Sequence, residues 1–78
     1  MIRETLNKIK WTDKLENYEI EFLHRGLPGD RKVIACERIT DIRRGFFSYK
    51  NGIEVTIPYH RVRVIRKKSG EVIWEKRS

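Results

Sequence analysis

The chain's two histidines occur in matching dipeptides, His24-Arg25 and His60-Arg61, each close to a glycine or a proline. An imidazole titrating near pH ~6.5 beside a permanently charged guanidinium suits a phosphate group. If the two pairs converge, His24 and His60 would supply the base and acid that open a cyclic phosphate. Arg25 and Arg61 would hold the phosphorane charge, with no metal needed. The plainer alternative makes each histidine a strand-end residue bonded to backbone. Strand parity places His60 on the side of Val62 and Val64, which favours partial burial and counts against a shared catalytic centre. Binding therefore ranks above hydrolysis.

Other residues suggest a wider anionic surface. The net charge is +7, and residues 40–78 carry ten Lys/Arg against four Asp/Glu, while residues 1–39 carry eight against seven. The run His60-Arg61-Val62-Arg63-Val64-Ile65-Arg66-Lys67-Lys68 has five of these cations and no carboxylate. One-sided positive charge attracts polyanions, of which nucleic acid is the commonest in a cell. Arg61, Arg63, Arg66, Lys67 and Lys68 are the expected phosphate contacts. Phe47 and Tyr49, near Arg43 and Arg44, suggest a base-stacking platform with phosphate contacts beside it. Two plainer readings stand beside these, a solubilising charged surface and a helix that covers the aromatic face.

Several chemistries are excluded. There is no phosphate-binding Walker loop, nicotinamide fingerprint, HExxH pair or nucleophile elbow, so no cofactor is expected. Carboxylates are few and scattered, against a two-metal nuclease. Cys36 is the one cysteine, which rules out an internal disulfide and a cysteine-based zinc site. The longest apolar run, Val33-Ile34-Ala35-Cys36, is far short of a membrane span, and the N-terminus has no apolar leader. A soluble, cytoplasmic domain spanning residues 1–78 is expected. It has no glutamine and only three asparagines, a composition resembling that of thermophile proteins.

The elements that must position these residues can be read from periodicity. Ile2, Leu6 and Ile9 form one stripe of a helix over about residues 2–11, which Trp11 is expected to close against the core. Tyr18, Ile20 and Phe22 alternate with Glu19 and Glu21, a half-buried strand over 18–24. Gly26 and Gly29 punctuate a turn before a strand over 32–37. Residues 38–44 fit a helical turn or a bulged strand. Asn51-Gly52 predicts a two-residue hairpin turn joining strands 46–50 and 53–57. That register puts Phe46 opposite Ile57 and Ser48 opposite Val55 on the core side, with Phe47 and Tyr49 outside. Pro58 marks an edge, a bend or a strand start. A last hairpin, 60–67 with 71–76, pairs Lys67 with Glu71, Ile65 with Ile73, Val64 with Trp74 and Arg63 with Glu75. The expected class is α+β, an N-terminal helix on an antiparallel meander of about five to six strands, open or curled into a small barrel.

The segments Leu23-His24-Arg25-Gly26-Leu27-Pro28-Gly29-Asp30, Ile57-Pro58-Tyr59-His60-Arg61-Val62 and Gly70-Glu71-Val72-Ile73-Trp74 resemble a family of small archaeal proteins. Its domain is called the RNA cyclic group end recognition domain, and the resemblance runs over essentially the whole chain. It implies binding of RNA ends that carry a 2′,3′-cyclic phosphate, in RNA repair or processing beside RNA-processing proteins. The matching positions are His24, Arg25 and Gly26, then Pro58, His60 and Arg61, and finally Trp74. The expected function is recognition of RNA ends by His24, Arg25, Gly26, His60 and Arg61. The alternative is a protein-interaction adaptor whose basic strip docks on an acidic partner. Third is a metal-independent cyclic-phosphate hydrolase using His24 and His60.

Overall fold

The protein is described by a computed structural model over residues 2–76. Ile2, Leu6 and Ile9 are buried on one stripe of helix α1, Ile2–Thr12, and the residues between them are exposed or half-buried. Trp11 lies two residues past Ile9, about 200° further round the helix, and therefore leaves the stripe. It is 86% exposed and does not close the core as expected. Just beyond α1, the Asp13 carboxylate accepts hydrogen bonds from the Lys14 amide at 2.8 Å and the Tyr18 hydroxyl at 2.9 Å. That ties the helix exit to the first strand.

Seven strands follow among the described residues: β1 Tyr18–Leu23, β2 Arg31–Ala35, β3 Ile39–Ile42, β4 Phe46–Asn51, β5 Ile53–Pro58, β6 Val62–Lys67 and β7 Val72–Glu75. All pairs are antiparallel, in two open sheets ordered β2-β1-β6-β7 and β3-β4-β5. The class is α+β as expected, but the meander is divided between two sheets and neither closes into a barrel. The additional strand is β3. Its register against β4 shifts between Ile39 and Asp41, so this stretch is the bulged strand and not the helical turn. The chain changes sheet twice, each time through a 3-10 turn, Cys36–Arg38 after β2 and Tyr59–Arg61 after β5.

One core serves both sheets and the helix. Phe22 of β1 places its ring 6.1 Å from Phe47 and 5.8 Å from Tyr49, both on β4 of the other sheet. Ile20, Val62 and Ile65 complete the first sheet's inner face, and Ile57 with half-buried Val55 supports β4. Each such side chain contributes about 1.5–3 kcal/mol by leaving water.

The β4–β5 hairpin overturns the expected outward face. Phe47 pairs with Ile57, Tyr49 with Val55 and Ser48 with Thr56, one residue out of the predicted register. Only Gly52 stands between the strands, with φ +80°. A one-residue slip exchanges the faces of a strand. Here it brings two aromatic rings against the core and leaves Phe46 37% exposed. Ser48 is also buried, and its hydroxyl is satisfied by Thr56 Oγ1 at 3.2 Å. Phe47 and Tyr49 are thus core residues, and the proposed stacking platform does not exist.

The β6–β7 hairpin keeps its predicted loop, in which the Lys67 amide donates to the Glu71 carbonyl at 2.7 Å. Beyond it the register shifts between Ile65 and Arg66, so Ile65 faces Trp74 and Val64 faces Glu75. The predicted Ile65–Ile73, Val64–Trp74 and Arg63–Glu75 pairs are displaced by this bulge, which turns half-buried Trp74 toward the core.

Candidate functional site

Phe22 faces Val62 across the β1–β6 ladder, so the residues after β1 and those before β6 leave the sheet at the same end. Leu23, Arg25, His60 and Arg61 line a hollow of about 450 Å³ there. On the β1 side the chain reverses at Gly26, whose φ of +93° is a backbone shape that favours glycine. The His24 amide closes the loop by donating to the Asp30 carbonyl at 2.7 Å.

On the β6 side Pro58 ends β5 and the Tyr59–Arg61 turn begins. Successive residues of a 3-10 turn rotate by about 120°, not the 180° of a strand, so parity counted back from Val62 does not reach His60. His60 is exposed, contrary to the expected partial burial. His24 is exposed too, but its ring leans on Phe22 with centroids 6.5 Å apart, and it does not line the hollow. Three of the four dipeptide residues therefore meet. Among the described residues neither Arg25 nor Arg61 has an ion-pair partner, and the hollow contains no carboxylate.

His60 also borders a second cavity of about 550 Å³. Its apolar wall is Ile2, Tyr59 and Trp74, and Arg3, Arg44 and Lys76 stand round it with one carboxylate, Glu4. Tyr59 is firmly placed. Its hydroxyl donates to the Arg43 carbonyl at 2.6 Å, its ring stacks on Phe47 at 6.4 Å, and burial raises its phenol above the usual range. The Lys76 ammonium donates to the His60 carbonyl at 2.8 Å, which pins the turn to the residue after β7. Sequence reasoning did not assign Arg3, Tyr59 or Lys76 to a site. Tyr59 adjoins a histidine already singled out, but no spacing rule connects residue 3 with residue 76.

The remaining cations of the basic run do not form one patch. Arg66 donates to Glu19 at 2.7 Å and to Glu21 at 3.3 Å, and these contacts hold its guanidinium charged. Lys67 and Lys68 lie at the far end of β6, roughly 20 Å from Arg61 at ~3.3 Å per residue. Lys68 pairs there with Glu37 at 3.4 Å. Arg63 is half-buried in its strand, and Arg43 pairs with Asp41. Arg44 is exposed at the second cavity, with no ion-pair partner among the described residues.

Among the described residues, no group of three His, Cys, Asp or Glu side chains is placed to hold a metal ion. Burial, with a smaller push from Glu19, raises the Cys36 thiol to about 12, so it stays protonated. No helix among the described residues is long and apolar enough to cross a membrane.

Comparison with known proteins adds a family. Residues 1–76 match the family model described as the MJ1316 RNA cyclic group end recognition domain. A UPF0248 protein of Thermococcus onnurineus is 40% identical over 97% of this chain and 85% of its own length. The UPF0248 protein MJ1316 of Methanocaldococcus jannaschii is 35% identical, covering 99% of this chain and 95% of its own. No solved structure matches the chain.

Proposed function

Because the chain belongs to the MJ1316 RNA cyclic group end recognition domain family, we propose that it binds RNA ends carrying a 2′,3′-cyclic phosphate, in RNA repair or processing. The supporting observation is the shared hollow of Arg25, His60 and Arg61, where, among the described residues, neither guanidinium has an ion-pair partner and no carboxylate lines the wall. A cyclic phosphate carries one negative charge on two free oxygens. Guanidinium forks suit such an anion, and the imidazole can donate to it. Gly26 shapes the loop that carries Arg25.

Binding is favoured over hydrolysis by the same lining. Opening the ring needs a base for water and an acid for the leaving ribose oxygen. One imidazole lines the hollow, and His24 rests on Phe22 outside it.

The test compares matched oligonucleotides ending in a cyclic phosphate, a 3′-phosphate or a 3′-hydroxyl. The cyclic end is expected to bind tightest, with affinity falling as salt rises by about 0.7 log units per log unit for each phosphate engaged. Arg25→Ala and Arg61→Ala should each remove roughly tenfold of the preference for the cyclic end over the 3′-hydroxyl end, the worth of a charge-assisted hydrogen bond. Equal affinity for the three ends, or a flat salt dependence, would falsify the proposal.

A further inference from the structure

We infer that the cavity on the other side of His60 seats the terminal nucleobase, held against Trp74. This deepens the end-binding reading and rests on it. Base and phosphate hang from one ribose, so a base bound together with the cyclic phosphate must lie within one sugar of it. The two cavities meet at His60.

Their linings divide the two chemistries. Among the described residues the Arg25–Arg61 hollow has cations and no acid. The second cavity has cations too, Arg3, Arg44 and Lys76, but it adds the apolar wall of Ile2, Tyr59 and Trp74 and the carboxylate of Glu4. A carboxylate repels phosphate but accepts hydrogen bonds from the exocyclic amino groups of bases. The indole of Trp74 is half-buried opposite Ile65, so little side-chain freedom is lost when a base lies against it. Tyr59 is held by Phe47 and by the Arg43 carbonyl and forms a second fixed aromatic wall. Arg3 and Arg44, exposed and without ion-pair partners among the described residues, are available to the phosphate that precedes the terminal nucleotide.

The test uses the full chain and its two tryptophans, whose indole N–H signals are assigned with Trp11→Phe. The ligands are adenosine 2′,3′-cyclic phosphate and the same ribose cyclic phosphate without a base. The nucleotide should shift the Trp74 signal and leave that of Trp11 in place. The base-free compound should bind about 5- to 150-fold more weakly, the range that corresponds to base–aromatic stacking. Trp74→Leu should reduce the nucleotide to the base-free affinity, and Trp74→Phe should retain most of the difference. If Trp74→Leu does not fold, the wild-type titration still decides. Equal affinity for the two compounds, or a bound nucleotide that leaves the Trp74 signal unmoved, overturns the base site and leaves phosphate recognition standing. Failure of both compounds to bind overturns the end-binding reading and this inference with it.

Discussion

Arg66→Met separates a cation that holds the fold from one that awaits a ligand. Arg66 bridges Glu19, directly opposite it on β1, and Glu21 two residues along. Its side chain is 23% exposed, and those of Glu19 and Glu21 are 28% and 12%. Methionine keeps the aliphatic stem and removes the charge. Glu21 retains Arg31 at 3.3 Å, while Glu19 loses its side-chain partner. One charge-assisted bond at a half-buried site is worth ~1.5–3 kcal/mol, so the loss should be about 2 kcal/mol. In a domain of this size that lowers the Tm by roughly 8–16 °C. Urea unfolding at neutral pH measures the loss. In a double-mutant cycle, Glu19→Gln should cost under about 0.5 kcal/mol once Arg66 is gone. RNA affinity, measured on the same protein well below its Tm, should stay within about twofold of wild type. A loss below about 0.5 kcal/mol together with a several-fold drop in RNA affinity would make Arg66 a phosphate contact and refute the reasoning.

The β4–β5 register makes Phe47→Ala cost about 3–5 kcal/mol and Phe46→Ala well under half of that, read by the same denaturation; the reverse order would restore the predicted hairpin. Asp13 is held below its usual range by the Lys14 amide and then the Tyr18 hydroxyl. Its contribution is therefore complete above about pH 4 and lost as pH falls through its depressed folded value. Asp13→Asn should flatten the acid limb of the stability–pH curve, and an unchanged limb would contradict the assignment. Cys36, buried and raised to about 12, should react with a thiol reagent at mildly alkaline pH only as fast as the chain opens, so rapid native labelling would be inconsistent with its position.

What was legible in the sequence was local. The Ile2, Leu6 and Ile9 stripe and the Tyr18, Ile20 and Phe22 alternation are properties of single elements, and both hold. Errors arose where two elements had to agree. Asn51-Gly52 suggested a familiar turn, but the burial of Phe47 and Tyr49 against Phe22 across the core selects the other register. His60 escapes strand parity because the chain changes sheets there through a 3-10 turn. Of the dipeptide residues, Arg25, His60 and Arg61 line the hollow and His24 does not. The second cavity was invisible because it draws on α1, the turn after β5 and the end of β7, which only tertiary packing brings together.

The pairing of β1 with β6 also decides when the hollow comes into being during folding. The hairpins β1–β2, β4–β5 and β6–β7 each close locally, whereas the Glu19–Arg66 contact spans 47 residues. Closing a loop that long costs roughly 3 kcal/mol of chain entropy beyond a constant, so this pairing is expected to follow the local hairpins. The residues on its two banks, Arg25 on one and His60 with Arg61 on the other, meet only when it is complete. A ligand that bridges them binds the finished chain and no precursor, so it retards unfolding by holding shut the one long-range seam of the first sheet.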